Sequence, residues 1–150
     1  MRAYLVVMDE TEEARKAVRF ATRRADKTGG TLHILALVPQ QNFNAFGGVQ
    51  ATIEQEARER AEMLAANEAG NIQAEGGKMP QIAVRVGDAQ KIIREYLAEH
   101  GEVAALVLGA AQDGNPGPLV SHFTAQSGDL PCPIYIVPGG LSDERIDELV

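Results

Sequence analysis

Leu106 to Pro138 reads LVLGAAQDGNPGPLVSHFTAQSGDLPCPIYIVP. It starts inside an apolar run, Val103 to Leu108, that stops at Gly109, and it ends in a second run, Ile134 to Val137. Short continuous runs of this kind mark strands buried on both faces, as in parallel sheets. Between them lie a loop rich in Gly, Pro, Asn and Asp and a short polar helix expected to open near Ser121. Strand, loop, helix and strand make one crossover of an α/β sheet. Ligands of open α/β sheets sit outside the carboxyl ends of the strands, where a helix start offers free N–H groups to an anion. The loop after Gly109 falls at that place.

Outward from this stretch the same alternation repeats. Ala3 to Met8 is a buried strand ending at Asp9; Thr11 can cap the helix that follows, with Glu12 and Glu13 in its first turn. Ala14, Ala17, Val18, Ala21 and Ala25 form the apolar face of that helix, Gly29-Gly30 stops it, and Leu32 to Val38 is a second buried strand. Pro39 to Val49 is a polar loop with two Phe; its part from Asn42 to Val49 is a candidate lid. Gln50 to Glu68 predicts a helix with Ile53, Ala57, Arg60, Ala61 and Leu64 as its stripe, and Gly70 to Pro80 a break. Gln81 to Val86 alternates as an edge strand, and Asp88 caps a helix from Ala89 to His100. Five strands alternating with four helices predict an α/β fold, doubly wound around an open twisted parallel sheet. Ser142 caps a last helix, so residues 1–140 read as one domain and 141–150 as a helical tail.

Composition narrows the function classes. A chain of 150 residues supports one core without metal or disulfide staples. A formal charge of −7 argues against nucleic acid or an anionic membrane as partner. The lone Cys132 has no internal partner, no apolar run approaches a membrane span, and no leader precedes the first strand, so a cytoplasmic protein is expected.

Four stretches, LVVMDETEEARKAVRFA, TLHILALVP, VRVGDAQKIIREYLAEHGEVAALVLG and PCPIYIVP, are similar in order and spacing to the universal stress protein family, over roughly Arg2 to Pro138. The resemblance implies a strand order of 3-2-1-4-5, a stress-linked regulatory or binding role, and a homodimer paired through the last strand. Ile134, Tyr135, Ile136 and Val137 suit that role, because a flat apolar edge is an aggregation hazard unless paired. The alternative is that the tail helix folds back over this edge.

In family members that bind ATP, the fourth strand ends in a G-x-x-G element, followed by a G-[ST] pair at the next helix start. This chain has Gly109 at the first position, Gln112 at the second and Val120-Ser121 at the pair, in a loop shortened by about two residues. A Cβ at Gln112 and a branched Val120 should crowd a triphosphate. Gly114, Asn115 and Gly117 are a different candidate anion nest, with Ser121 and His122 beside it; the other reading is a stiff turn. By resemblance Asp9 meets the adenine or ribose edge and the main chain of Val38 reads the base. Asp9 read from its position alone organises the strand-to-helix turn. The expected ligand state is no certain cofactor, with ATP or AMP and Mg2+ as the alternative, and the expected activity is binding without turnover, with a slow ATPase as runner-up.

Other chemistries fit less well. His33, His100 and His122 lie apart in sequence and lack zinc-ligand spacing, so no metal is expected. Ser121-His122 has no nucleophile elbow before it, and Cys132 lies between prolines with no neighbouring base. A phosphoryl-accepting receiver needs a Lys after the last strand, where Val137-Pro138-Gly139-Gly140 stands.

Overall fold

A computed structural model describes residues 2–39 and 47–150. The strands are β1 (Ala3–Met8), β2 (Thr31–Pro39), β3 (Gln81–Gly87), β4 (Val103–Ala110) and β5 (Ile134–Pro138). The helices are α1 (Glu12–Thr28), α2 (Gly47–Ala74), α3 (Ala89–Glu99), α4 (Pro118–Ala125) and α5 (Asp143–Leu149), and a single 3-10 turn covers Ser127–Asp129. All strand pairs are parallel, in the order β3-β2-β1-β4-β5. That is the expected fold class and strand order. The candidate lid from Asn42 to Val49 lies mostly outside the described residues, and residues 47–49 belong to the first turn of α2.

β1 is central and buried along its whole length, which is why its six residues are all apolar or aromatic. Alternate side chains serve opposite faces. Tyr4, Val6 and Met8 join α1, α2 and α5 in one core cluster, while Ala3, Leu5 and Val7 join α3 and α4 in the other. The alanine face of α1 puts its backbone close to the sheet. A Cβ on Gly109 would lie 2.1 Å from the Glu13 carbonyl oxygen, and one on Gly139 would lie 2.9 Å from the Glu13 Cβ. Glycine at 109 therefore answers first to α1.

Two expectations about α2 need correction. The helix runs through Gly70 and ends at Ala74, because Ala65, Ala69 and Ile72 are buried against the sheet and outweigh the roughly 1 kcal/mol that glycine costs in a helix. These three residues carry the burial at the helix's carboxyl half; Arg60 and Leu64, placed in the stripe from spacing, are exposed.

The tail docks on its own chain. Ser142 accepts the Arg145 N–H as N-cap, and Ile146 is fully buried in the first core cluster. Acidic residues of α5 face the basic side of α1: Lys16 Nζ lies 3.0 Å from Asp143, and Arg19 and Arg23 lie 2.7 and 3.3 Å from Asp147. Thus α5 packs on α1, and β5 is paired on one side only, with Ile136 41 % exposed. Among the described residues no helix is long and apolar enough to cross a membrane.

Two outcomes are expected. Gly109→Ala should destabilise the chain by about 3 kcal/mol in urea unfolding, as forced overpacking against backbone. Gly114→Ala, where a Cβ meets nothing but φ is +88°, should cost about 1 kcal/mol; equal effects would remove the packing explanation.

The Lys16 hydrogen bond holds Asp143 below the usual carboxylate range, and the Arg19 hydrogen bond does the same for Asp147. Depressed carboxyl pKa values stabilise the fold above the ordinary Asp range and lose that contribution as pH falls through the folded-state values. The stability gap between the wild type and an Asp143→Asn/Asp147→Asn variant should therefore be present at neutral pH and close in acid. A pH-independent gap in the unfolding midpoints would exclude these ion pairs as its source.

Candidate functional site

The site is organised by the turn from β1 into α1. Asp9 follows the last residue of β1, and its Oδ1 accepts from the Thr11 N–H at 2.8 Å and from the Thr11 hydroxyl. Thr11 Oγ1 in turn accepts the Ala14 N–H at 3.2 Å, capping α1. Asp9 thus does organise the strand-to-helix turn, through one carboxylate oxygen. Asp9 and Thr11 together wall three hollows: one beside Arg15 and Glu68, and two between the carboxyl ends of neighbouring strands.

The larger hollow, about 310 Å³, lies between the ends of β1 and β2 and one face of α2. Ala36, Leu37 and Val38 form its strand side, and Ala57, Ala61 and Leu64 its helix side. Small alanines on α2 leave the space open. Arg60 and Glu10, both among its lining residues, are paired at 3.4 Å.

The smaller hollow, about 110 Å³, lies between the ends of β1 and β4 and the start of α4. Gly109 and Gly117 line it with Pro116, Leu119 and Val120. Here the expected helix start is corrected: α4 opens at Pro118, three residues before Ser121. Gly117, at φ +104°, makes the turn, and proline suits the first helical position because it lacks an N–H that would go unused. The Ser121 N–H is consequently bonded to the Gly117 carbonyl at 3.1 Å, and the Gly117 N–H to Asn115 Oδ1 at 3.0 Å. The amides left for an anion are those of Leu119 and Val120. The Gly-Pro pair was the signal for this start, and the spacing argument passed over it.

Asp9, Val38, Gly109 and Gly117 therefore line the crevice, whereas Gly114, Ser121 and His122 line neither hollow. Gly114 follows Asp113 (φ +74°) in a tight loop closed by the Ala111 N–H on the Pro116 carbonyl at 3.1 Å. The Ser121 side chain is exposed. His122 Nε2 is buried without a hydrogen-bond partner among the described residues, and its ring meets Phe123 edge-on at 4.9 Å. Gln112 lies beside Gly140, toward the turn after β5. Val120 is buried in the second core cluster and closes the smaller hollow from below. Among the described residues, the charged ones lining that hollow are Asp9 and Glu13, with no Lys or Arg.

Away from the crevice, the sheet brings His33 and His100 together although they are distant in sequence. His33 on β2 is 1 % exposed, and burial pushes it below the usual histidine range. Burial also raises the Cys132 thiol, in keeping with a packed side chain.

The family model for the universal stress protein family matches residues 1–138. No curated protein matches the chain. Among solved structures, a universal stress protein UspA from Lactobacillus plantarum superposes with a TM-score of 0.72 at 15 % identity, covering 91 % of this chain and 97 % of that one. A family member from Arabidopsis thaliana with AMP bound gives 0.60 at 16 %, covering 96 % and 95 %. The universal stress protein from Archaeoglobus fulgidus in complex with dAMP gives 0.53 at 14 %, covering 91 % and 97 %. At those identities the structures speak to the fold, and the family model speaks to descent: the chain belongs to the universal stress protein family.

Proposed function

We propose that this chain is a dimeric regulatory binding module whose crevice takes an adenine mononucleotide and holds ATP weakly, without turnover. The observation that carries this is the unequal division of the crevice at Asp9 and Thr11: about 310 Å³ on the side of Val38 and α2, against about 110 Å³ on the side of Gly109 and α4. The larger hollow has an apolar floor suited to a base, with the second oxygen of Asp9 facing a ribose. The smaller one has two free amides at a helix start, which suits one phosphate. A triphosphate would crowd Val120 and lie against Asp9 and Glu13 with no lining cation, so it would need Mg2+ to offset the carboxylates. AMP and dAMP are bound by the Arabidopsis and Archaeoglobus relatives, which supports the mononucleotide reading.

Among the described residues, no pair in the crevice has the arrangement of a nucleophile and base. Asp9 is committed to the Thr11 turn and Ser121 points elsewhere. A slow ATPase is therefore the weaker reading. The dimer is supported by β5, a strand of five residues at the sheet edge with Ile136 exposed. The first core cluster includes Ile146 and Val150 as well as the strands, so residues 141–150 act as part of the module.

Calorimetric titration tests the ligand. AMP should bind more tightly than MgATP, Asp9→Ala should weaken AMP by about tenfold, as loss of a hydrogen bond to a charged group, and Val120→Gly should narrow the difference between the two nucleotides. Tighter binding of MgATP, or no heat from either nucleotide, would overturn the mononucleotide reading.

Sedimentation velocity tests the assembly. The wild type should run as a dimer and Ile136→Asp as a folded monomer. A monomeric wild type, or a dimer indifferent to the substitution, would remove β5 as the interface.

A further inference from the structure

At the end of the sheet opposite the crevice, three metal-binding side chains meet. His33 sits near the start of β2, and His100 and Glu102 flank the turn that leads into β4. That turn is closed by the Val103 N–H on the His100 carbonyl at 3.1 Å. His100 Nδ1 lies 3.1 Å from Glu102 Oε1, and His33 Nε2 lies 4.0 Å from the same oxygen. One ligand atom from each of the three side chains falls within 4.8 Å of the others.

The surroundings also match what such a site requires. Metal-bound histidines commonly engage a partner through the second ring nitrogen, which fixes the tautomer and aims the first. His33 Nδ1 is 2.7 Å from the Tyr96 hydroxyl. With Nδ1–H donating there, Nε2 presents its lone pair to the cluster. Tyr96 also stacks on His100 with ring centroids 4.0 Å apart, so one buried tyrosine orients both imidazoles. His33 is fixed in the core, whereas the partly exposed Glu102 and His100 have room to close by the ångström or so that tetrahedral bonding at about 2.0–2.1 Å asks.

We propose that His33, His100 and Glu102 form a site for a divalent cation of the zinc class, with water completing the coordination. Two imidazoles and one carboxylate suit zinc better than Mg2+ or Ca2+, which prefer all-oxygen shells. The ion would tie β2 to the α3–β4 turn across β1, independently of whatever occupies the crevice.

The test is calorimetric titration of the chelator-treated, purified full chain with Zn2+ alone, together with Co2+ absorption spectra. One equivalent of Zn2+ should bind, and the Co2+ form should show the intense visible bands of four-coordination. His100→Ala and Glu102→Gln should each weaken Zn2+ at least about tenfold and Tyr96→Phe by about tenfold, with His122→Ala unchanged. Zn2+ should raise the melting temperature of the wild type but not of His100→Ala. His100 and Glu102 carry the test because removing His33 from the core risks the fold itself. Absence of one-to-one binding, or binding that survives both His100→Ala and Glu102→Gln, would overturn the site.

Discussion

The contact on which the rest of the molecule depends is the seating of the first turn of α1 against the ends of β4 and β5. Glu13 lies where a side chain at Gly109 or Gly139 would have to be. Packed interiors tolerate little excess volume, so glycine at these two positions sets how closely α1 approaches the sheet. That distance places the Asp9–Thr11 turn between two hollows, and it presents the basic side of α1 to the acidic side of α5. The crevice and the docked tail are thus consequences of one close approach.

The same contact changes how a family motif is understood here. A glycine at the end of β4 invites a phosphate-binding interpretation, but in this chain Gly109 makes room for a helix backbone. Val120 and the proline-started α4 then bound the neighbouring space. The feature that bounds the smaller hollow is thus an apolar side chain of the core.

Much of this was legible in the sequence, for identifiable reasons. The buried runs at Ala3–Met8 and Val103–Leu108 are uninterrupted because both faces of the sheet are covered, and Thr11, Asp88 and Ser142 announced their helices through local capping chemistry. Local signals failed where a distant partner decided the outcome. Gly70 remains helical because Ile72 and Ala69 are held by the sheet, and His33 meets His100 through strand order, which no spacing rule encodes. The start of α4 is different: Gly117-Pro118 is a local signal in its own right, and the expectation of a start near Ser121 gives it no weight. Of the site, Asp9 and Gly109 were visible as strand ends, and Ala57 and Ala61 were visible as one stripe of α2; that this stripe walls a hollow at the ends of β1 and β2 follows only from the folded sheet.

The carboxylates at Asp9 and Glu13 have a kinetic meaning as well as a steric one. The chain carries a formal charge of −7, and the mouth of its smaller hollow adds to that field instead of opposing it. An approaching phosphate meets repulsion that extends over the Debye length, about 8 Å at physiological ionic strength and longer in dilute salt. Capture of the proposed phosphate would therefore be accelerated by salt, the reverse of the behaviour expected of crevices lined with lysine and arginine. On the proposed reading, occupancy of this crevice would follow the ionic composition of its surroundings along with the concentration of the nucleotide.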